Sequence, residues 1–115
     1  MEKVALFVFR GDFMCFIHVL LNSLDMHKKN YEVKIILEGE ATKLVPELID
    51  DKKPLKKLWK EVIEKGLVEG VCKACASKMG TIKDAEKQNL KLLGDMNGHP
   101  SISQYMDKGF RIITF

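Results

Sequence analysis

The amino-acid sequence predicts an α/β fold built on a mainly parallel sheet of four to five strands. Short apolar segments rich in valine, isoleucine and phenylalanine recur along the chain, and segments with apolar residues at helical spacing separate them. Neighbouring parallel strands require such a crossover between them. The alternation within 115 residues therefore indicates helices on both faces of the sheet, connected by right-handed crossovers.

The first three predicted elements are a strand, a helix and a second strand. Residues Lys3 to Phe9 are almost all apolar, which is typical of a strand buried on both faces. The next apolar residues recur at helical spacing up to the lysines before Asn30, and Asp12 stands where the N-cap of that helix is expected. Residues 31–37 are then predicted to form the second strand.

The middle of the chain predicts two helices and the third strand. Apolar residues between positions 44 and 49 indicate a short helix that Pro46 begins or interrupts. Pro54 stands at the expected first position of the next helix, which has one apolar face and ends at Gly66. Residues 67–71 are predicted to form the third strand, which leads directly into Cys72.

The last part of the chain predicts two more helices and a final strand. Each helix begins with a capping-box pattern, formed by Thr81 with Asp84 and by Ser101 with Gln104. The first of these helices is expected to run to about Leu93, and the second is expected to end at Gly109. Residues 110–115 are predicted to form the final strand, which gives four clear strands and leaves room for a short fifth between positions 92 and 96.

Length and hydropathy limit the number of domains and the kinds of segment that the protein is expected to contain. We expect one domain over residues 1–115, because a chain of this size buries enough surface for a core without disulfide or metal crosslinks. The longest apolar stretches fall short of the ~20 residues that a membrane-spanning helix needs. The first residues lack the pattern of a secretory signal. We therefore predict a cytoplasmic protein with no membrane partner.

The charge pattern disfavours nucleic acid as a direct partner. The net charge of +3 comes almost wholly from lysine, only two residues are arginine, and 16 acidic residues are interspersed. The densest basic stretch, at positions 52–60, is expected to be the solvated face of a helix. The first strand and helix carry few charges, so self-association through apolar faces is predicted.

The cysteines are the residues that indicate chemistry. Functional loops collect at the carboxyl ends of parallel strands, where Cys72 and Cys75 stand. Free amides of the following turn, together with Lys73 and Lys78, are expected to favour the Cys72 thiolate. Cys72 is thus the predicted nucleophile and Cys75 a possible resolving thiol, while Cys15 is expected to pack in the first helix.

Other interpretations of the cysteines stay open. Zinc would need two more ligands, and Cys15 and the three histidines are not paired at metal spacing, so we predict no metal. Two further alternatives are that the protein is a thioredoxin-type thiol-disulfide exchanger and that the cysteine is buried and chemically inert. His99 lies in a loop and is a candidate acid, base or thiolate partner, or only a turn residue. Glu38 and Glu40 flank a glycine in a commonplace loop pattern, and no nucleotide motif is present, so no cofactor is predicted.

The segment Cys72–Gly80, Cys-Lys-Ala-Cys-Ala-Ser-Lys-Met-Gly, resembles the cysteine segment of the DsrE/F-like sulfur-relay proteins. The resemblance extends to the opening strand, to residues 36–41, to residues 98–102 and to the last eight residues. It implies a three-layer flavodoxin-like fold, assembled as a homo-oligomer (a trimer or a hexamer) with the cysteine near a subunit boundary. It also implies a persulfide carrier that accepts sulfur on Cys72 from a protein donor and passes it to a protein acceptor.

The leading hypothesis is therefore a sulfur-relay protein, a possible sulfurtransferase, that holds sulfane sulfur on Cys72. Cys75 departs from the resemblance, because the tRNA-thiolation members usually have a small residue at that position. Two alternatives follow. One is a thiol-disulfide exchanger using both cysteines, and the other is a non-catalytic oligomeric binding module with structural or metal-holding cysteines.

Overall fold

The computed structural model describes residues 1–115 and contains a five-stranded sheet in which every pair of neighbouring strands is parallel. The strands, in chain order, are β1 Lys3–Val8, β2 Glu32–Leu37, β3 Val68–Cys72, β4 Leu92–Leu93 and β5 Arg111–Thr114. They lie in the spatial order β4-β3-β2-β1-β5. The predicted α/β class is confirmed, and the expected short strand near position 92 is β4.

Helical segments connect the strands. They are α1 Phe13–Lys28, a 3-10 helix Gly39–Ile49, α2 Lys56–Glu64, α3 Lys73–Met79, α4 Ile82–Lys87 and α5 Ile102–Asp107. No helix of this structure has both the length and the hydropathy that crossing a bilayer requires.

Two cores of unequal size lie on the two faces of the sheet. Successive residues of β1 contribute alternately to the two cores. Leu6 and Val8 belong to the larger core, while Ala5 and Phe7 belong to the smaller one. The larger core also contains buried side chains from α1, the 3-10 helix, α2, α3 and α4. The smaller core is closed by α5 and the residue before β5. The arrangement is consistent with a three-layer flavodoxin-like fold in which one helical layer is α5 alone.

A buried tyrosine attaches α5 to the sheet. The ring of Tyr105 packs edge-on against Phe7, with 5.6 Å between the ring centroids, and against Phe110, at 6.0 Å. The hydroxyl of Tyr105 donates a hydrogen bond of 3.0 Å to Glu69, which also pairs with Lys34 at 3.0 Å. The thin second layer is thus held by an aromatic cluster and one partly buried ion pair.

The start of α1 agrees with the sequence prediction. The backbone N–H of Cys15 donates to Oδ1 of Asp12 at 2.8 Å, so Asp12 is the N-cap. The short helix expected around Pro46 is a 3-10 helix of 11 residues instead. Pro54 precedes α2 rather than opening it, because α2 begins at Lys56.

Both predicted capping boxes are wrong. Thr81 is buried and its hydroxyl donates to the backbone oxygen of Thr42 at 2.9 Å, so it is not free to cap α4. Ser101 pairs with the hydroxyl of Ser103 at 2.8 Å. Contacts across the fold and within the turn compete successfully for these hydroxyl groups.

Helix α4 is shorter than predicted. It ends at Lys87, and Asn89 adopts the left-handed conformation with φ of 59°. Asparagine tolerates this conformation better than most residues. The chain can therefore turn immediately and enter β4 beside β3.

Candidate functional site

Four side chains converge at the carboxyl edge of the sheet: Glu38, Cys72, Cys75 and His99. One side-chain oxygen, two sulfurs and one ring nitrogen all lie within 4.8 Å of one another. Glu38 follows β2, Cys72 ends β3, Cys75 lies in the first turn of α3 and His99 lies in the loop after β4. The neighbouring strands β2, β3 and β4 therefore each deliver part of this group, which we call the four-residue cluster.

Cys72 is the most deeply buried member of the four-residue cluster. It is both the last residue of β3 and the N-cap of α3, and its side chain is fully buried. The backbone N–H of Cys75 donates to the Cys72 sulfur at 3.4 Å, and the thiol of Cys72 donates to the backbone oxygen of Gly98 at 3.8 Å. The sulfur thus lies at the first amides of a helix, as its position after a strand predicted.

The surroundings of Cys72 act on its thiol in the direction opposite to the expected stabilisation of the thiolate. Burial raises the pKa of the Cys72 thiol to about 12, an effect that the amide of Cys75 opposes but does not overcome. The neighbouring Cys75 thiol and the Glu38 carboxyl raise the pKa further. Lys73 and Lys78 are exposed on α3, and neither ammonium group hydrogen-bonds to a cysteine sulfur. Desolvation therefore decides the protonation state.

His99 is placed beside both sulfurs. Its Nδ1 atom lies 3.2 Å from the sulfur of Cys72 and 3.7 Å from the sulfur of Cys75. The ring is half-buried, so its outer edge reaches solvent. Of the two interpretations that the sequence left open, this geometry fits a thiol partner and proton acceptor.

Backbone hydrogen bonds hold the His99 loop against α3. The N–H of Ala74 donates to the backbone oxygen of Gly98 at 2.8 Å, while Met96 and His99 exchange two backbone hydrogen bonds of 2.7 and 2.9 Å. Gly98 has φ of 89°, and a Cβ atom there would lie 3.2 Å from the Cβ of Ala74. Glycine thus permits both the turn and the close approach that bring His99 to the cysteines.

Glu38 was not among the predicted site residues. Only 7% of the residue is exposed, although its carboxyl oxygens keep some contact with solvent. Burial raises its pKa to about 7. A signal was present in the sequence, because Glu38 directly follows a strand just as Cys72 ends one. In the sheet Leu37 is registered with Val71, which brings these strand ends side by side.

The other candidate residues lie apart from the four-residue cluster. Glu40 is exposed and pairs with Lys43 at 3.9 Å. Cys15 and His18 line a surface depression with Arg10 and Phe115, beside the ends of β1 and β5, and are not members of the four-residue cluster. All three cysteines are free thiols. The two cysteines of the Cys-x-x-Cys segment are therefore the ones that share His99 as a neighbour.

The donor types in the four-residue cluster suit two kinds of chemistry. A thiol next to an imidazole nitrogen can lose its proton during nucleophilic attack. Two sulfurs, an imidazole nitrogen and a carboxylate oxygen are also the ligand types that zinc binds. Sequence spacing did not indicate this ligand set, since His99 and Glu38 reach Cys72 only through the sheet.

Similar proteins extend across archaea and a bacterium. The uncharacterized protein MJ0733 of Methanocaldococcus jannaschii is 43% identical over 96 residues, which cover 84% of this chain and 76% of that protein. An uncharacterized protein of Archaeoglobus fulgidus is 42% identical over 41 residues, which cover 36% of this chain and 67% of that protein.

A solved structure with the same fold is that of BT1422, a conserved protein of unknown function from Bacteroides thetaiotaomicron. It superimposes with a TM-score of 0.74 over 99% of this chain and 95% of that chain, at 16% sequence identity. The similarity shows the α/β fold. The sequence model of the DsrE/DsrF-like family matches residues 3–115, nearly the whole length. The chain belongs to the DsrE/DsrF-like family.

Proposed function

We propose that this protein carries sulfane sulfur as a persulfide on Cys72, between a protein donor and a protein acceptor. The observation that carries the proposal is the 3.2 Å separation between the Cys72 sulfur and Nδ1 of His99 at the end of β3. Membership of the DsrE/DsrF-like family supports a role in sulfur relay. Because the resting thiol has a raised pKa, the reaction needs a base at this distance.

The loading step is balanced without an external oxidant or reductant. As a donor persulfide approaches, the Cys72 thiol gives its proton to Nδ1 of His99, and the sulfur lone pair attacks the outer sulfur of the donor. The donor's sulfur–sulfur bond breaks and its inner sulfur leaves with the electron pair. That leaving thiolate then takes the proton from His99. The products are the Cys72 persulfide and the donor thiol.

Burial and surface charge have separate roles in this proposal. Burial keeps Cys72 protonated and shields the carried sulfur from small reductants. Lys73 and Lys78, which are exposed on α3, attract the anionic donor persulfide instead of stabilising the resting thiol. The free thiols fit a reducing compartment, for which we propose the cytoplasm. We also propose a homo-oligomer, a trimer or hexamer.

A second candidate function is thiol-disulfide exchange. It is favoured by the position of Cys75, whose sulfur lies 3.7 Å from the same His99 nitrogen. If Cys75 attacked the inner sulfur of the Cys72 persulfide, a Cys72–Cys75 disulfide would form and hydrogen sulfide would leave. In a simple carrier, by contrast, a nucleophile of the acceptor attacks the outer sulfur and Cys75 is dispensable.

Intact-protein mass spectrometry distinguishes these functions. Wild-type protein incubated with a low-molecular-weight persulfide should gain the mass of one sulfur atom and lose it on reduction. The Cys72→Ser variant should gain nothing, whereas Cys15→Ser is the matched control and should behave like wild type. A mass gain that survives Cys72→Ser would overturn the assignment, as would no gain in wild type. Loss of transfer to an acceptor thiol in Cys75→Ser alone would favour exchange.

A further inference from the structure

We infer that Glu38, Cys72, Cys75 and His99 bind one zinc ion, and that zinc bound there prevents Cys72 from accepting sulfur. The first part stands on the geometry of the four-residue cluster. The second part rests on the proposed sulfur-carrier function. The two parts are tested separately below.

The separations between His99 and the two cysteine sulfurs are close to those of a tetrahedral zinc site. Zinc binds sulfur at about 2.3 Å and imidazole nitrogen at about 2.0–2.1 Å, so a sulfur and a nitrogen on one tetrahedral ion lie about 3.6 Å apart. Nδ1 of His99 lies 3.2 and 3.7 Å from the two sulfurs. All four donor atoms lie within 4.8 Å of one another, so small side-chain adjustments would close the set around one ion.

The donor types select zinc over the common hard cations. Magnesium and calcium prefer shells made wholly of oxygen, whereas this set has two sulfurs and an imidazole nitrogen. Zinc accepts such a mixed set and does not require the sulfurs to change oxidation state. Four protein ligands fill a tetrahedral shell, so the site is of the closed kind and leaves no position for a substrate.

Glu38 gives a second, independent indication of a ligand. Only 7% of the Glu38 residue is exposed, and one of its carboxyl oxygens lies within 4.8 Å of both sulfurs and of a ring nitrogen of His99, with no cationic side chain paired to it. Buried carboxyl groups are normally paired, hydrogen-bonded or bound to a metal. The positive ion that would complete the surroundings of Glu38 is the same one that would satisfy the two sulfurs and His99.

The scaffold allows a metal to enter and then holds it. Cys72 and Glu38 are buried at adjacent strand ends, while Cys75 and His99 are half-buried and form the mouth of the site. Metal sites need such an entry path. The hydrogen bond from Ala74 to Gly98 fixes the His99 loop on α3, so the ligand from the loop is positioned before the metal arrives.

Occupancy by zinc and by sulfur would exclude each other. A zinc–sulfur bond would draw electron density from the Cys72 sulfur, and the other three ligands around the ion would crowd the approach of a donor persulfide. His99 would likewise lose the nitrogen that accepts the thiol proton, since Nδ1 faces both sulfurs. A zinc-loaded molecule would therefore be closed to sulfur until the metal is removed.

Titration with cobalt(II) tests the metal site. Protein freed of metal by a chelator should bind one cobalt ion per chain, with the charge-transfer absorption of cobalt–thiolate bonds and the strong visible bands of a tetrahedral ion, and zinc should displace it. Cys72→Ser and Cys75→Ser should each weaken the charge-transfer band, and Glu38→Gln and His99→Ala should each weaken binding more than about tenfold. Cys15→Ser and His18→Ala are matched controls that should bind as wild type.

Three results would overturn the metal site. These are no cobalt spectrum in wild type, loss of the spectrum in Cys15→Ser, and unchanged affinity in both Glu38→Gln and His99→Ala. Circular dichroism would show whether a cysteine variant fails to fold. In that case Glu38→Gln and His99→Ala still test the site.

Mass spectrometry of sulfur uptake tests the exclusion. One equivalent of zinc should abolish the sulfur mass gain of wild type, and a chelator should restore it. Full uptake in the presence of bound zinc would overturn the exclusion while leaving the metal site intact. Absence of uptake in the metal-free protein would overturn the proposed carrier and the exclusion together, and the cobalt titration alone would then decide the zinc site.

Discussion

Cys72 combines a reactive position with unreactive surroundings. Its place at the amino end of α3 provides an amide for the sulfur, yet burial raises the pKa of its thiol to about 12. In the proposed mechanism His99, whose Nδ1 lies 3.2 Å from the sulfur, resolves this conflict by accepting the thiol proton. Glu38 acts in the opposite direction, because its charge raises the pKa of Cys72. The reactivity of one cysteine is thus set by residues from three different segments.

The first residue-scale prediction concerns alkylation of Cys72 in the metal-free protein. Because the pKa of Cys72 is raised, its reaction with iodoacetamide at pH 7 should be much slower than that of Cys15 in the same sample. Glu38→Gln removes a negative charge and should speed the reaction of Cys72 at pH 8. Peptide mass spectrometry over time measures both rates. Equal rates for Cys72 and Cys15 at pH 7 would contradict the role given to burial.

The second residue-scale prediction concerns stability and pH. The pKa of the Glu38 carboxyl rises from 4.5 to about 7 in the folded protein. Its contribution to the free energy of unfolding is therefore fully present below pH 4.5 and is lost as the pH rises through 7. At pH 8 the metal-free Glu38→Gln variant should be more stable than wild type by about 1–2 kcal/mol, below the full value of the shift because the carboxyl edge reaches solvent. Urea unfolding at pH 5 and pH 8 measures the difference. A variant that gains nothing at pH 8 relative to pH 5 would show that the carboxyl is not desolvated.

At the scale of elements, the His99 loop is placed by its contact with α3. Asn97 and Gly98 both have positive φ, of 51° and 89°, and their turn presents the Gly98 oxygen to the N–H of Ala74. Gly94 also lies close to Gly98, since a Cβ atom at position 94 would be 3.3 Å from the Cα atom of Gly98. Small residues on both sides therefore permit the loop to lie close to the cysteines.

The element-scale prediction compares two glycine variants. Gly98→Ala and Gly109→Ala introduce a side chain at nearly the same backbone conformation, with φ of 89° and 86°, but only the Cβ at position 98 meets another atom. Both should lose about 1–2 kcal/mol of unfolding free energy from the left-handed backbone. Only Gly98→Ala should also reduce sulfur loading and cobalt affinity, because it pushes His99 away from Cys72. Equal loading and affinity in the two variants would mean that the loop contact does not position His99.

At the scale of the whole molecule, the two faces and edges of the sheet are unevenly protected. One face has α5 as its single helix, and β5 is an edge strand with Ile113 partly exposed. Two apolar side chains project from α1 into solvent, Met14 with 82% of its surface exposed and Leu21 with 48%. Met14 and Leu21 are seven residues apart and therefore share one face of α1, and clustered apolar surface of this kind can serve as a contact site between subunits. They are consistent with the proposed homo-oligomer of identical subunits.

The whole-molecule prediction is that the protein self-associates through α1. Multi-angle light scattering should give a mass several times the 13.1 kDa of one chain. Leu21→Glu should lower that mass, because a charged side chain is costly to bury between subunits. Lys57→Glu on the exposed face of α2 is the matched control and should leave the mass unchanged. A wild-type mass equal to one chain at micromolar concentration would rule out the assembly.

Local patterns in the sequence determined the strands, the first helix and the position of the cysteines. Apolar and alternating segments predicted β1, β2 and β3 to within one or two residues, and Asp12 was correctly predicted to cap α1. These features depend on neighbours along the chain, where spacing is informative. Cys72 was expected at the end of a strand for the same reason, and it lies there.

Only the tertiary structure decided which groups surround Cys72 and what they do to it. To predict the pKa of the Cys72 thiol, one must know how deeply the sulfur is buried. That burial depends on the packing of segments that are distant in sequence. Glu38 and His99 reach Cys72 because parallel strands align their carboxyl ends, an alignment that sequence spacing does not show. Thr81 failed as a cap for the same reason, since its partner is the distant Thr42. Local sequence was enough to place Cys72 at the end of a strand, whereas its burial and its neighbours depend on long-range packing.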